Sequence, residues 1–132
     1  MSIKQFDIWI ADLNPTHGTE PGKTRPVVII QTDLLNSSHP STIICPITTN
    51  VIENAEILRV HLKKGQVEKQ SDILVDQIRA IDNKRLLKRI GKLTQAQIEQ
   101  LKTNILIVLD LWNTSANPGP AAMAVLFTVE AC

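Results

Sequence analysis

The sequence is short of the residues that build disulfide frameworks and metal sites. Its 132 residues include only two cysteines and three histidines. Cys45 lies in an apolar run and Cys132 is the last residue, so no disulfide framework is expected and a reducing cytoplasm is the simplest location. Because His17, His39 and His61 show neither HxH nor HxxxH spacing, the sequence predicts no metal site and no cofactor.

Aromatic residues and long apolar runs are also scarce. Aromatic side chains make up 3% of the chain and tyrosine is absent, so an aromatic stacking platform for single-stranded nucleic acid is excluded. No segment reaches the eighteen or so uninterrupted apolar residues of a membrane span. The first residues are polar and the next ones include two aspartates, which predicts neither a signal peptide nor membrane association.

Several motifs of catalysis and nucleotide binding are missing. The five glycines form neither a GxGxxG nor a GKS/T loop. The chain has no GxSxG motif, no cysteine near a histidine and no pair of carboxylates on one helical face. Nucleotide-binding loops and the common nucleophilic hydrolase motifs are therefore excluded.

What is present is the composition of one soluble globular domain, with 43% hydrophobic and 20% charged residues. The net charge of +1 favours no class of partner. All the lysines and arginines lie at or before Lys102, and residues 84–92 contain five of them without an acidic residue. This basic run is either a solvated face or a phosphate-facing surface. Its members are Lys84, Arg85, Lys88, Arg89 and Lys92.

Up to residue 93 the pattern predicts short strands separated by turns, which indicates a small barrel or a strongly curved sheet. Pro46 is expected at an edge or a bulge. The predicted strands are Phe6–Ala11, Pro26–Gln31, Thr42–Ile47, Ile57–Leu62, Ile73–Val75 and Ile78–Ile81.

The end of the domain differs from the rest. Thr94 and Gln97 have the spacing of a capping box, and a helix is predicted from residue 95 to 109. Its apolar face would contain Ile98, Leu101, Ile105, Val108 and Leu109. Residues 112–132 combine a linker composition with an apolar run, and we expect a poorly ordered, dispensable extension to a domain of residues 1–111.

Three polar clusters stand at the ends of predicted strands. A long loop from Asn14 to Pro26 delivers Arg25 to the start of a buried strand. Thr48 and Thr49 follow another strand, and the third cluster, Asp76, Gln77 and Arg79, separates two apolar pieces. Each cluster alone is more often structural than functional, but together they favour a site.

These residues resemble the MazF/PemK family, the endoribonuclease toxins of bacterial type II toxin–antitoxin systems. The resemblance runs from Phe6 to Leu109. It implies a mainly β fold, namely a small curved SH3-like barrel with a closing C-terminal helix, and a homodimer that cleaves single-stranded RNA without a metal. The matching blocks are residues 7–9, 12–15, 18–20, 24–30, 46–49 and 76–82.

Carried over by position, Arg25 matches the catalytic arginine of the family and Thr48 its catalytic hydroxyl. Some PemK-type relatives assign acid–base work to an aspartate that matches Asp76 and to a histidine where this chain has Thr19. They also use an arginine where this chain has Leu74. Because that histidine and that arginine are missing, the mechanism with Arg25 and Thr48 is favoured, with Asp76 as a further catalytic candidate.

The resemblance also implies residues that hold RNA. His17 lies two positions before Thr19 and would substitute for the missing histidine only if the loop bends to suit. The RNA-binding candidates are Gly18, Thr19, Glu20, Lys23, Thr49, Gln77 and Arg79.

The family further implies a MazE-like antitoxin with an acidic segment that folds on binding, and contact with DNA only through that antitoxin. Two alternatives remain open. One is a CcdB-like toxin that poisons gyrase, although this chain lacks the tryptophan-containing C-terminus of that branch and retains Arg25 with Thr48. The other is an inactive barrel that serves as an adaptor.

Overall fold

The computed structural model describes residues 2–15, 18–19 and 23–111. The expected extension, residues 112–132, lies outside the described residues, and so do two of the candidate site residues, His17 and Glu20. The division of the chain at residue 111 therefore stays a prediction.

The described chain forms a curved antiparallel sheet followed by one helix. All six predicted strands are present, with their ends shifted by one or two residues. Two 3₁₀ turns, Val75–Gln77 and Asn83–Arg85, interrupt the second half. The elements are β1 (Asp7–Asp12), β2 (Thr24–Ile29), β3 (Ser41–Thr48), β4 (Arg59–Leu62), β5 (Ser71–Leu74), β6 (Arg79–Asp82), β7 (Leu86–Lys92) and α1 (Gln95–Val108).

The strand order is β4-β5-β3-β2-β1-β7, with β6 also paired to β3. β3 is long enough to pair with β6 through Ser41–Ile44 and then with β5 through Ile47–Thr48. This change of partner bends the sheet. The mainly β fold with a C-terminal helix is thus confirmed, but the sheet is curved without closing into a barrel, since β4 and β7, the two ends of the strand order, do not pair with each other.

Side chains cross the open seam between β4 and β7. The side-chain amide of Gln66, in the turn after β4, donates to the Lys92 carbonyl at 3.3 Å and to Gln97 Oε1 at 2.6 Å. Gly91 permits this approach, because a Cβ atom there would lie 3.1 Å from the Gln66 carbonyl oxygen. The seam is therefore held by a turn and a helix rather than by a backbone ladder.

Pro46, which was predicted at an edge or a bulge, does not lie on an edge strand. It is buried on β3 and faces Val27 of β2. On its other side, the pairing of β3 passes from β6 to β5 between Ile44 and Ile47. A proline is accommodated there because no ladder hydrogen bond is required from its nitrogen.

The sheet buries apolar residues on both faces, because successive side chains of a strand point to opposite sides. One face and α1 enclose the helix-side core, which includes Val28, Cys45, Ile47, Ile73 and Leu101. The other face forms the opposite core, which consists of Ile3, Trp9, Ala11, Leu13, Val27, Ile29, Ile44, Ile81 and Leu86.

The helix follows its prediction closely. The Thr94 hydroxyl oxygen accepts the backbone amide of Gln97 at 3.3 Å, and the backbone amide of Thr94 donates to Gln97 Oε1 at 2.9 Å. The predicted capping box is therefore present. Leu109 was predicted on the apolar face, but it caps the helix and is exposed. Within the described residues, no helix is long and apolar enough to cross a membrane.

Candidate active site

Arg25 lies near the start of β2 and is half-buried. Its guanidinium Nη1 donates to the carbonyl oxygen of Ile47 at 3.5 Å. The ladder pairs Val27 with Pro46, and two further residues in the same register set Arg25 opposite Thr48. Since directly opposed residues project from the same face, the arginine and the hydroxyl predicted from sequence lie side by side.

Thr48 ends β3 and is half-buried, whereas Thr49 and Asn50 are exposed. The Thr48 hydroxyl oxygen accepts the backbone amide of Asn50 at 3.1 Å. That bond fixes the hydroxyl and uses a lone pair only, so its proton remains available for donation to a ligand. The hydroxyl therefore has the geometry of a positioned donor beside a cation.

The loop between β1 and β2 begins at the same end of the sheet. Gly18 and Thr19 are exposed, and Gly18 has a φ of 59°, in the left-handed region that glycine adopts readily. Lys23 is exposed, and its backbone amide donates to Asn14 Oδ1 at 2.8 Å. The described part of the predicted loop thus leads directly into Arg25.

Arg85 anchors the base of this loop, a role that the sequence did not predict for it. Its Nη1 donates to the Asp12 carbonyl at 2.9 Å and also to the Asn14 carbonyl. Arg85 stands at the end of a 3₁₀ turn, and the next residue, Leu86, pairs with Ala11 of β1. The only signal in the sequence was its membership of the basic run.

The Asp76–Arg79 cluster links the two strands that share β3. Asp76 and Gln77 lie on the 3₁₀ turn after β5, where Asp76 is exposed and Gln77 is half-buried. Arg79 is the first residue of β6 and pairs with Ile44 of β3. Burial raises the pKa of the Cys45 thiol to about 12, and the negative charge of Asp76 adds to the rise. Arg79 projects from the Arg25 and Thr48 face, four strand residues from Thr48, or about 13 Å along β3.

A second polar cluster next to Thr48 was missed from sequence. Asp72 of β5 is opposite Thr48 and has no exposed surface. It contacts Arg59 and His61 of β4. The hydrogen bond with Asp72 raises the pKa of His61 above its usual value, although partial burial of the ring opposes this. The residues are far apart in sequence, and only the strand pairing brings them together.

The basic run divides between structural and solvent-exposed residues. Arg89 pairs with Asp7 at 3.0 Å, and Arg85 holds the loop described above. Lys84, Lys88 and Lys92 are exposed. The described residues contain no group of three or more His, Cys, Asp or Glu side chains that could hold a metal ion.

A curved antiparallel sheet with a closing helix, and an arginine beside a threonine at one sheet end, define a class that can be compared with known proteins. The family model described as the PemK-like, MazF-like toxin of type II toxin–antitoxin systems matches residues 4–109. The chain is also 38% identical over 114 residues to the endoribonuclease MazF of Staphylococcus epidermidis, covering 84% of this chain and 94% of that protein.

Solved structures have the same fold. A MazF toxin of Mycobacterium tuberculosis superposes with a TM-score of 0.67 at 25% identity, covering 79% of this chain and 96% of that one. A MazE-MazF structure from Deinococcus radiodurans gives a TM-score of 0.70 at 16% identity, covering 85% and 99%. The chain belongs to the MazF/PemK family of toxin–antitoxin endoribonucleases.

Proposed function

We propose that this toxin cleaves single-stranded RNA at a specific sequence, without a metal ion, and that Arg25 and Thr48 form the centre of its active site. The observation that supports the proposal is that the Arg25 guanidinium of β2 donates to the carbonyl oxygen of Ile47 at 3.5 Å, on the neighbouring strand β3 and directly before Thr48. A planar cation and a fixed hydroxyl at one sheet end match the needs of a phosphodiester.

The reaction is an attack of the ribose 2′-OH on the adjacent phosphorus. A bond forms between the 2′-oxygen and phosphorus, and the bond from phosphorus to the 5′-oxygen breaks, which leaves a 2′,3′-cyclic phosphate and a 5′-OH end. Arg25 would stabilise the charge that develops on the nonbridging oxygens, and Thr48 would donate to one of them. A metal-independent route places these demands on the side chains.

Two protons must also move, one from the 2′-OH and one to the leaving 5′-oxygen. The exposed Asp76 carboxylate is the candidate acceptor. His17, which lies outside the described residues, is the second candidate for a proton transfer, because histidine can both accept and donate a proton near neutral pH. If His17→Ala keeps activity within a few-fold of wild type with an unchanged acid limb of the pH profile, His17 has no catalytic role.

RNA would lie across the sheet end between the two loops that flank Arg25 and Thr48. The candidates that contact it are Gly18, Thr19 and Lys23 on one side, with Glu20 outside the described residues, and Thr49, Gln77 and Arg79 on the other. Since aromatic residues are scarce, base selection would depend on pockets and hydrogen bonds to splayed bases.

The proposed assembly is a cytoplasmic homodimer that is inhibited by an antitoxin with an acidic segment. The toxin would contact DNA only through that antitoxin. The MazE-MazF structure from Deinococcus radiodurans supports the antitoxin. An acidic segment would compete with RNA for Arg25 and the exposed Lys23.

The decisive experiment incubates the purified protein with a long RNA in EDTA and maps the ends. Cuts at one short motif that leave 5′-OH ends, absent with Arg25→Ala, would support the proposal. Cleavage that requires an added divalent metal would refute metal independence. If RNA stays intact while gyrase is trapped on DNA, the CcdB-like alternative is correct. If neither RNA cleavage nor gyrase trapping occurs, the result favours the inactive adaptor.

A further inference from the structure

Asp72 is a fully buried carboxylate with three hydrogen-bond donors. Its Oδ2 accepts the backbone amide of Ile52 at 3.0 Å and Arg59 Nη1 at 3.1 Å, and its Oδ1 contacts His61 Nδ1 at 2.6 Å. The Asp72 side chain is 0% exposed and that of Arg59 is 12% exposed. Buried charges are tolerated when donors surround them in this way.

These bonds connect the buried pair to the segment that follows Thr48. The Arg59 Nη1 that contacts Asp72 also donates to the Asn50 carbonyl at 2.9 Å. The Asn50 amide in turn donates to the Thr48 hydroxyl at 3.1 Å. Arg59 and the backbone of Asn50 therefore link the buried carboxylate to the hydroxyl of the proposed active site.

Residues 50–54 have few other contacts to hold them, whereas the far end of the segment of residues 50–56 is held by Asn104 Nδ2, which donates to the Glu56 carbonyl at 2.8 Å. Asn50, Glu53 and Asn54 are exposed, and Ile52 exposes 43% of its surface. A stretch with few buried apolar contacts opens easily unless polar contacts restrain it. The bonds to Asn50 and Ile52 therefore restrain the exposed start of this segment.

We propose that Asp72 and Arg59 form a clamp that positions Thr48 and holds residues 50–56 as an edge that selects the RNA sequence beside the cut. The proposal rests on the ribonuclease function proposed above. Asp72 and Arg59 are positioning residues, since they act through Asn50, Ile52 and Thr48; Asp72 is fully buried and Arg59 is half-buried.

The clamp is tested with two variants that remove different bonds. Arg59→Gln removes the cation that joins Asn50 to Asp72. Ile52→Pro removes the amide donor to Asp72 and also restricts the backbone at residues 51 and 52. It changes neither partner of the ion pair nor a core side chain, so a result remains available if Arg59→Gln folds poorly. Arg89→Gln is the control, because it breaks another arginine–aspartate pair, on β1 and β7; the Arg89 side chain is 49% exposed, against 12% for Arg59.

The measurements are the cut motif in a random-sequence RNA pool, kcat and KM on the preferred RNA, and Tm. We expect both clamp variants to lose kcat by about tenfold and to relax the motif, while Arg89→Gln lowers Tm and cuts at the wild-type motif. A folded Ile52→Pro that cuts the wild-type motif at the wild-type rate would overturn the clamp. If wild type cuts no RNA, the proposed function fails instead.

Discussion

Two loops leave the same end of the sheet beside Arg25 and Thr48, and they are held in different ways. The β1–β2 loop (residues 13–23) is held at its base by an arginine that donates to backbone carbonyls. The β3–β4 segment (residues 49–58) is held by a buried carboxylate and its cation. The two sides of the candidate site are therefore restrained differently: Arg85 holds one loop through backbone carbonyls, and the buried Asp72 with Arg59 holds the other.

The consequences of losing each restraint differ for a physical reason. A side chain that donates to carbonyls can be replaced by water when it is removed, at the cost of geometry. Removal of one partner from a buried ion pair leaves a charge without compensation, which destabilises the fold as well. The β1–β2 loop is therefore the more tolerant of the two.

The largest expected effect is that of Arg25→Ala, which removes the group on which both loops converge. We expect a loss of about 10²-fold or more in kcat, since a donor to the developing phosphate charge is lost. Single-turnover cleavage of a defined RNA measures it. Arg25→Lys should recover only part of the loss because an ammonium cannot form the forked contact, and wild-type rates for Arg25→Ala would contradict the assignment.

Arg85→Ala tests the anchor of the β1–β2 loop. We expect about a tenfold loss in kcat/KM, because a small displacement of the loop misplaces the RNA. Stability should fall by about 1–2 kcal/mol through the lost hydrogen bonds. Urea unfolding and cleavage assays measure the two effects. Lys84→Ala is the control, since Lys84 is adjacent and exposed, and equal behaviour of the two variants would remove the anchoring role.

The His61–Asp72 contact should make the β3–β4 side of the molecule sensitive to pH. Because the folded state raises the pKa of His61, the contribution of the pair to stability is complete below about pH 6.5 and is lost as pH rises through the folded pKa. The free energy of unfolding, measured from pH 5.5 to 8.5, should therefore decline more steeply in wild type than in His61→Gln.

The exposed His39 provides the control for that pH dependence. His39→Gln should retain the wild-type slope of the unfolding free energy against pH. A His61→Gln protein with the wild-type slope would show that the Asp72 contact does not stabilise the charged imidazole.

The smallest expected effect belongs to residues 113–132. We expect their deletion to leave both dimerisation and cleavage unchanged, since the two restraints described above lie within residues 12–85. Light scattering and RNA cleavage measure the outcome. Loss of either property would make the segment part of the domain.

Local chemistry was sufficient to predict most of the regular elements. Alternating apolar residues located six strands, and the Thr94 and Gln97 spacing located the start of the helix. β7 was not predicted because it is an edge strand whose exposed basic residues obscure the alternation. Pro46 was expected at an edge or a bulge; its place inside the sheet was not predicted, because the gap between β6 and β5 that accommodates it depends on pairing with distant residues.

The sequence by itself determined the family, six of the strands and the capped helix, and it predicted a role for Arg25 and Thr48, because these depend on residue types at short spacing. Only the tertiary structure decided that the sheet stays open and that Arg85 holds one loop. It also decided that Asp72 joins Arg59 and His61 beside Thr48. Strand register unites residues that lie many positions apart, and register arises from the packing of the whole sheet rather than from any local segment.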